Sequence, residues 1–311
     1  MYDTIHLCLP LERAGNTDFL CEIPLYLSDY EPFENKKTGE KWINGHLGNF
    51  KININENRIL FKGSIAKYYL GNNIETLTRI QTQSAIEKMS DEIHLPMNDA
   101  KVTRIDFASN LIVDHPPQIY CNYLGECRHF VRSFHEKTLY YENHQRIKTF
   151  YDKIKEVKKK NKGESISKEW LENKILRYEL RFIKRLPSQF NRLEINVSSL
   201  YEEKFYVNLV DRLVEEYEKI NKLRQVKFDS KKMKTPNDFI KQLAVERLFD
   251  IGQVRAMQRV DEMKKKFANS QNYYRLKRDI TNLCKNPKYT DEPELIEELT
   301  NKVRAIKEMN L

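Results

Sequence analysis

The segment Phe50-Lys51-Ile52-Asn53-Ile54-Asn55 and the residues 58–62 that follow it establish the architecture of this chain. Apolar and polar side chains alternate along the first segment, as in a β-strand with one face buried. The turn-forming residues Asn55 and Asn57 lie between the two segments, so they form an antiparallel hairpin. Because hairpins recur where βα units would otherwise alternate, we predict an α+β fold with an antiparallel sheet, not a doubly wound parallel sheet.

Further alternating segments predict the other strands of this sheet. The first runs through Ile5, Leu7 and Leu9 and ends at Pro10, with residues 19–25 as a candidate partner. The remaining predicted strands are residues 102–113, the segment around Tyr151 from residue 147 to residue 153, residues 175–184 and residues 190–197.

Helical patterns are interspersed among the strands and then replace them. Asn73 is a good N-cap for a helix that Pro96 closes. Residues 118–134 fit either a helix or a strand, and residues 158–167 are a solvated excursion or a short helix. From about Ser198 onward the whole chain is predicted to be helical. A capping box at residues 199–202 predicts the start of the first helix, whose apolar stripe runs over residues 206–223. A cap at residues 235–238 predicts the start of the second. Three further helices are predicted at residues 253–267, 272–284 and 293–309.

Composition fits a globular protein with a polyanionic partner. The 311 residues are 40% hydrophobic and 32% charged, with a net charge of +9. Five cysteines without a C-x-x-C pair indicate reduced thiols, and neither a signal peptide nor an apolar run of about 18 residues occurs. We therefore predict a cytoplasmic protein of two domains, with a catalytic domain at residues 1–198 and a helical domain at residues 199–311.

Positive charge is concentrated around Tyr151. Residues 146–162 contain eight basic and two acidic residues, a net charge of +6. A tyrosine held on a strand in a basic field suits an enzyme that attacks phosphodiesters. Taken alone, the same segment also fits a lysine-rich surface hairpin with one half-buried tyrosine.

Three acids on other predicted strands could join Tyr151. Asp3, Asp106 and Glu179 each lie beside basic residues, and a sheet can bring all three to one face. Each taken singly also fits a salt-bridged, exposed strand. Together they are the oxygen ligands that Mg²⁺ or Mn²⁺ prefers, which predicts a metal site next to the phenol.

The chemistry predicted for this constellation is transesterification. Tyr151 would attack a DNA phosphate and form a 5′-phosphotyrosyl link, while Lys153, expected on the same strand face, would favour the phenolate. The link keeps the energy of the phosphodiester, which agrees with the lack of a phosphate-binding G-x-x-x-x-G-K-[ST] loop. The basic residues predicted to contact DNA are Arg104, Lys148, Lys155, Arg177 and Arg181.

In order and spacing, these segments resemble a known family. Residues 2–10, 103–106, 151–156 and 176–181 are similar to the filamentous-phage gene II/X replication proteins and to the related small-plasmid Rep nicking enzymes. The similarity covers roughly residues 1–200. It implies a rolling-circle initiator that nicks one origin strand, stays joined to the 5′ end and later rejoins the circle. It also implies that Tyr151 is the nucleophile and that Asp3, Asp106 and Glu179 are the metal-site candidates.

Two departures and two alternatives accompany this resemblance. The related nicking superfamily carries a His-hydrophobic-His pair, which is absent here, so the fold would be similar to that superfamily without its histidine ligands. Tyr140 or Tyr141 could act as a second nucleophile. A conjugative relaxase is one alternative, although its three-histidine cluster is missing. A non-catalytic DNA-binding replication or copy-control protein is the other, supported by the basic residues 247–266 and 275–285.

The mechanism implies particular partners. Origin DNA would be bound both as duplex or hairpin and as single strand, with strong salt dependence. A host helicase would open the duplex, a homodimer is possible, and the location would be the cytoplasm of a bacterial host.

Overall fold

The computed structural model describes residues 1–15, 18–160 and 168–310. Within these residues, the first two-thirds contain eleven strands and six α-helices. In chain order these are β1 Tyr2–Pro10, β2 Ser28–Glu34, β3 Lys41–Leu47, β4 Phe50–Asn55, β5 Arg58–Ser64, α1 Ile65–Leu70, α2 Arg79–Ile93, β6 Lys101–Ile112, α3 Pro117–Tyr123, β7 Leu124–Cys127, β8 Val131–His135, β9 Thr138–Glu142, β10 Arg146–Asp152, α4 Lys153–Lys160, α5 Lys168–Glu172, β11 Ile175–Phe182 and α6 Leu186–Gln189.

The rest of the described chain is mostly helical. Its elements are α7 Glu203–Glu218, β12 Ile220–Lys222, β13 Gln225–Val226, α8 Pro236–Ile251, α9 Gln253–Glu262, α10 Ser270–Cys284, β14 Thr290–Asp291 and α11 Glu294–Asn310. No helix in the described ranges is long and apolar enough to cross a membrane.

Ten strands form one antiparallel sheet in the order β2-β3-β4-β5-β1-β6-β11-β10-β9-β8. The predicted α+β class with a helical C-terminal region is therefore confirmed. The first strand lies near the centre, between the hairpin strand β5 and the long strand β6. This placement matters for the site because β1, β6, β11 and β10 are consecutive neighbours.

One face of the sheet, which we call the core face, is packed against helices. The strand alternation directs large apolar side chains such as Ile5, Phe107 and Phe150 to it, and each is fully buried. Tyr178, also on this face, stacks on Phe150 with ring centroids 4.4 Å apart and donates a hydrogen bond to the Leu213 carbonyl in α7. Helix α7 therefore covers the centre of the sheet.

The opposite face, which we call the polar face, carries the charged members of the same strands. Register places Lys62 opposite His6 and His6 opposite Arg104 across β5, β1 and β6. Further along the sheet, Arg177 of β11 pairs with Tyr151 of β10 on this face. The core face therefore packs against helices, and the polar face carries most of the charged side chains of these strands.

The C-terminal region contributes only in part to the main core. Buried side chains of α7 and α11 belong to the main core of the sheet. Residues 225–291, which we call the helical module, are closed at their base by the pairing of β13 with β14. Among the described residues, the buried apolar side chains of this module lie outside the main core; they are Val245, Ala256, Val260, Tyr273, Cys284 and Tyr289. The division at residue 199 stays a prediction, and the main core includes side chains from both sides of it.

Most predicted strands and helix starts agree with the structure. The hairpin of β4 and β5, the strands β1, β6, β10 and β11, and the cap before α8 are all present. Thr235 and Asp238 form a complete capping box there. The ambiguous residues 118–134 contain most of α3, all of β7 and most of β8. Residues 161–167 of the predicted polar excursion lie outside the described residues.

Two predicted strands are wrong. Residues 19–25 form turns and a short 3-10 helix at Ile23–Tyr26, because β5 and β6 already occupy both edges of β1. Residues 190–197 make only one bridge, between Lys101 and Asn196, before the chain turns into a 3-10 helix at Val197–Tyr201.

Two helix starts are also misplaced, and the C-terminal region is not wholly helical. Helix α2 begins after Thr78, whose capping box with Gln81 satisfies the first turn, while Asn73 lies in the loop before it. Helix α7 begins after Glu202, and the Ser199 hydroxyl instead accepts a hydrogen bond from Arg192. The short strands β12, β13 and β14 interrupt the predicted helical region.

Candidate active site

The sheet brings the predicted site residues together. Asp3, Asp106, Glu179 and Tyr151 come from the four neighbouring strands β1, β6, β11 and β10, and contacts join all four in one network. Because β11 lies between β6 and β10, its arginines and its glutamate connect the outer members. Sequence reasoning placed these acids on one face with Tyr151, and the structure has them there.

Tyr151 is held by Glu179. Its hydroxyl donates a hydrogen bond of 2.6 Å to Glu179 Oε1, and its side chain remains partly exposed. Burial and the negative charge of Glu179 raise the pKa of the phenol well above its ordinary value, although the nearby Arg177 charge opposes this. The resting side chain is therefore a neutral phenol with a fixed direction.

Glu179 is held in turn by two arginines. Arg177 Nε donates to Oε1 at 2.9 Å, and Arg181 Nη2 donates to Oε2 at 2.7 Å. Burial disfavours the charged carboxylate, but the two guanidinium groups outweigh it and hold the pKa of Glu179 below its ordinary value. A carboxylate with a lowered pKa is a weak proton acceptor, so its main effect here is to orient the phenol.

Arg177 joins the site to its surroundings. Its side chain is fully buried, with Nη2 2.8 Å from Asp3 Oδ2 in an ion pair. Nη1 donates to the Asn73 carbonyl at 3.0 Å and to Asn110 Oδ1 at 3.1 Å. This position does not support the prediction that Arg177 contacts DNA, because the guanidinium group is enclosed by protein oxygens.

Asp106 lies between two arginines that reach the surface. Arg104 donates to both carboxylate oxygens of Asp106 at 2.7 Å, and Arg181 Nε lies 3.8 Å from Oδ2. Burial raises the pKa of Asp106 despite the opposing arginine charges. The side chains of Arg104 and Arg181 are 27% and 25% exposed, so both remain available to an anion at the polar face.

The resting site does not fit a divalent metal. Within the described residues, no group of three or more His, Cys, Asp or Glu side chains stands in an arrangement that could hold one. Asp3, Asp106 and Glu179 each have an arginine partner within 2.8 Å, so a cation would have to displace a guanidinium group.

Lys153 is not on the strand face beside the phenol, contrary to prediction. The strand ends at Asp152, whose carboxylate accepts a hydrogen bond from the Lys155 amide, and α4 begins at Lys153. The Lys153 ammonium is fully buried and donates to Asn73 Oδ1 and Glu156 Oε2, both at 2.9 Å. Burial, together with the Arg177 charge, lowers its pKa. The Lys153 ammonium therefore bonds to Asn73 and Glu156 instead of the Tyr151 phenol, and it is not positioned to favour a phenolate.

The two other predicted DNA contacts differ in position. Lys148 lies three residues before Tyr151 on β10, so strand alternation directs it to the opposite, core face. There it is fully buried against Glu216 of α7. The structure does not support a DNA contact for it. Lys155, on α4, is 57% exposed and lies 3.0 Å from Asp152, so it can reach DNA near the tyrosine.

The neighbouring tyrosines also separate by face. Tyr141 is buried on the core face, where its hydroxyl donates to the carbonyls of Leu124 and Gly125. Tyr140 pairs with Thr149 in register and therefore shares the polar face with Tyr151. Packing accounts for Tyr141, whereas Tyr140 is placed near the candidate nucleophile.

Two supporting residues were missed by sequence reasoning. Asn110 lies four residues after Asp106 on β6, so strand alternation alone would have put it on the polar face. Asn73 lies in the loop before α2 and binds both Arg177 and Lys153. The local sequence indicated only a helix cap at Asn73, because its partners Arg177 and Lys153 come from distant segments.

A comparison with protein families agrees with this site. The family model Phage_CRI, which describes the N-terminal region of a replication-associated phage protein, matches residues 1–204. The chain belongs to this family. Membership supports a role as a rolling-circle replication initiator of the filamentous-phage gene II type, and the match includes every strand of the ten-stranded sheet. No curated protein matches the sequence.

Proposed function

We propose that this protein nicks one strand of origin DNA and later rejoins it through a covalent link to Tyr151. The observation that carries the proposal is the Tyr151–Glu179 hydrogen bond of 2.6 Å on the polar face, beside the arginine network. A fixed, partly exposed phenol next to surface cations is what attack on a phosphodiester requires.

The proposed reaction exchanges one phosphodiester for another. Tyr151 Oη attacks the phosphorus, the Oη–P bond forms, and the bond from phosphorus to the 3′ oxygen breaks. The phenol loses its proton and the leaving 3′ oxygen gains one. Arg104 and Arg181 are placed to stabilise the negative charge on the non-bridging oxygens. Rejoining is the reverse reaction, with a 3′ hydroxyl as the nucleophile.

The first experiment tests the nucleophile. Negatively supercoiled plasmids that carry DNA from beside the coding sequence are incubated with the protein and Mg²⁺. We expect the parent to nick them and to form a protein adduct on the 5′ end, and Tyr151→Phe to form neither. Tyr140→Phe, which removes a hydroxyl from the same face, is the matched control and should keep both activities.

The outcomes separate the alternatives. Nicking by Tyr151→Phe at the parental rate contradicts the assignment. Site-specific binding of the same DNA without nicking by any variant favours the non-catalytic DNA-binding protein.

A need for Mg²⁺ or Mn²⁺ is a proposal based on the family resemblance, and it requires bound DNA to draw an arginine away from at least one of Asp3, Asp106 and Glu179. We expect nicking to stop in EDTA and to return with either cation. Persistent nicking in EDTA would indicate that the arginines alone supply the positive charge that stabilises the reacting phosphate.

The remaining partners are also proposals. We propose that the helical module binds the duplex origin through exposed basic side chains of α9 and α10, including Arg275 and Arg278, which are 73% and 69% exposed. A host helicase would separate the strands, since the sequence has no nucleotide-binding loop. Exposed Phe239, Ile240 and Leu243 on α8 are a candidate surface for a homodimer. All of these partners would be met in the bacterial cytoplasm.

A further inference from the structure

Two aromatic side chains stack at the far end of the sheet from Tyr151. The rings of Phe33 on β2 and Trp42 on β3 are nearly parallel, at 9°, with centroids 5.7 Å apart. Phe33 is 39% exposed, Trp42 is partly exposed, and neither belongs to the main core. The pair therefore presents an aromatic surface to solvent without packing the fold.

Strand register puts this pair on the polar face. Trp42 pairs with Asn55, two residues from Asn53, and Asn53 shares its face with Lys51. Lys51 pairs with Lys62, which pairs with His6. Because paired residues project to the same side of a sheet, the aromatic pair and Tyr151 share one surface.

The two ends are within reach of one extended polymer. Six strand spacings separate β3 from β10, which corresponds to about 30 Å across the sheet at the usual spacing of about 4.8 Å. The strand registers also offset Trp42 from Tyr151 along the strands by on the order of ten residues, which adds roughly 35 Å in that direction. A single nucleic-acid strand bound along a protein groove commonly occupies on the order of 4–16 nucleotides. The scissile strand is therefore long enough to contact both ends at once.

A cavity of about 670 Å³ lies over β2, β3, β4 and β5, and its charges are arranged asymmetrically. Lys51 and Lys62 line it on the β4–β5 side, and both are exposed. Asp29 and Glu31 line it on the β2 side. Phosphates are thus favoured over β4 and β5, which leaves the bases directed towards β2 and β3, where the aromatic pair lies.

We propose that Phe33 and Trp42 form a stacking platform for bases of the single DNA strand whose phosphate reaches Tyr151, with Lys51 and Lys62 holding the backbone between them. This inference rests on the proposed nicking function and names the path of the strand across the protein. Stacking on aromatic rings is tolerant of sequence, so the platform would hold any single strand near the nick and leave origin recognition to other elements.

The test uses the full chain with Tyr151→Phe as background, so that binding is measured without nicking. The probe is a short oligothymidylate, which has no secondary structure. Trp42 and Trp170 are the two tryptophans of the sequence, and Trp170→Phe leaves Trp42 as the fluorescent reporter. We expect the oligothymidylate to quench this fluorescence at saturating concentration.

Substitutions then measure the contribution of each part. The anisotropy of a fluorescein-labelled oligothymidylate measures the affinity of these variants, because Trp42→Ala removes the tryptophan reporter. Phe33→Ala and Trp42→Ala should each weaken oligothymidylate binding by about 5- to 150-fold, the range for loss of one stacked base. Phe228→Ala removes a similarly exposed aromatic ring of the helical module and should leave the affinity unchanged. Lys51→Ala should reduce the slope of log affinity against log salt by about 0.7, the value for one lost phosphate contact on a single strand.

Failure of the platform can be told from failure of the nicking function. If the parent forms the Tyr151 adduct but Trp42→Ala and Phe33→Ala bind oligothymidylate as tightly as the background protein, the platform is wrong and nicking stands. If those two variants bind weakly but the parent forms no adduct, the surface binds single strands and the proposed reaction is wrong. Circular dichroism melting of each variant must match the parent, because a lower melting temperature would instead assign the aromatic pair to stability and overturn the proposal.

Discussion

At the scale of single residues, the protonation state of Tyr151 governs the proposed chemistry. Burial and Glu179 keep the phenol neutral by raising its pKa, so only a small fraction is phenolate near neutral pH. Below that raised pKa, the phenolate fraction grows about tenfold for each unit of pH. We predict that the single-turnover nicking rate rises with pH at a logarithmic slope of about 1 across the neutral and mildly alkaline range. A flat profile would mean that proton loss does not limit the reaction.

Two variants identify the group that sets this profile. Glu179→Gln removes the negative charge beside the phenol, so the pKa of Tyr151 should fall and the rising limb should move to lower pH. Lys153→Met should leave the limb in place, because the Lys153 ammonium bonds to Asn73 and Glu156 and not to the phenol. If Lys153→Met shifts the limb and Glu179→Gln does not, their roles are the reverse of those assigned here.

At the scale of elements, β10 connects the candidate site to helix α7. Tyr151 occupies its polar face, while Lys148 on its core face lies 2.8 Å from Glu216 Oε2. Arg146 Nη1 and Lys219 Nζ each lie 2.7 Å from Glu216 Oε1. A single buried carboxylate therefore forms ion pairs with three cations where strand and helix meet.

This cluster predicts a large loss of stability for Glu216→Gln. The change leaves the buried Lys148 charge without its partner, which typically costs about 3–5 kcal/mol of unfolding free energy. Glu218→Gln on the same helix removes an exposed pair with Arg304 and should cost about 0–1 kcal/mol. Urea unfolding of both variants measures the difference, and equal losses would contradict the assignment.

The pH dependence of stability follows from the same pair. Burial opposes ionisation of Glu216, but the charge and hydrogen bond of Lys148, together with Lys219 and Arg146, outweigh burial and lower the pKa of Glu216 in the folded state. The unfolded chain therefore binds this proton more readily, and the stabilisation is present above the ordinary glutamate pKa of about 4.3 and is lost as pH falls below it. Glu216→Gln should remove that part of the acid sensitivity.

At the scale of the whole molecule, the helical module is an insertion between two helices of the main core. Helices α7 and α11 both pack in that core, and the pairing of Gln225 with Asp291 brings the ends of the module together. We predict that replacing residues 225–291 with a short Gly-Ser linker leaves a cooperatively folding body. Such a body should bind duplex origin DNA more weakly and with a smaller salt slope, while oligothymidylate binding is retained.

The comparison with a shorter deletion sharpens this prediction. A fragment of residues 1–198 lacks α7 and α11, so the core face near Tyr178 would be exposed, and we expect it to aggregate or unfold. Thermal melts of the two proteins check the expectation. A stable 1–198 fragment together with an unfolded 225–291 deletion would restore the boundary predicted at residue 199.

Sequence alone determined which side chains share a strand face, because the two-residue period of a strand is a local property of the backbone. Arg177, Glu179 and Arg181 follow this rule on β11, as do Arg104 and Asp106 on β6. The helix caps that were found, such as Thr235, are equally local. The two-residue rule fails at Lys153, because Asp152 accepts a hydrogen bond from the Lys155 amide, the strand ends there and α4 begins.

Which strands become neighbours in the sheet, and which helix covers them, follows from the tertiary structure and not from any single segment. The order β1-β6-β11-β10 put three acids beside Tyr151, and it also supplied the arginines that neutralise them. Lys148 points away from the face that carries Tyr151, and its ion-pair partner Glu216 belongs to α7, which begins more than fifty residues later in the chain. Strand order and helix docking depend on contacts between distant segments, whose free energy is gained only after the chain has closed the loops between them. For that reason, a single segment carries little information about its neighbours in the fold.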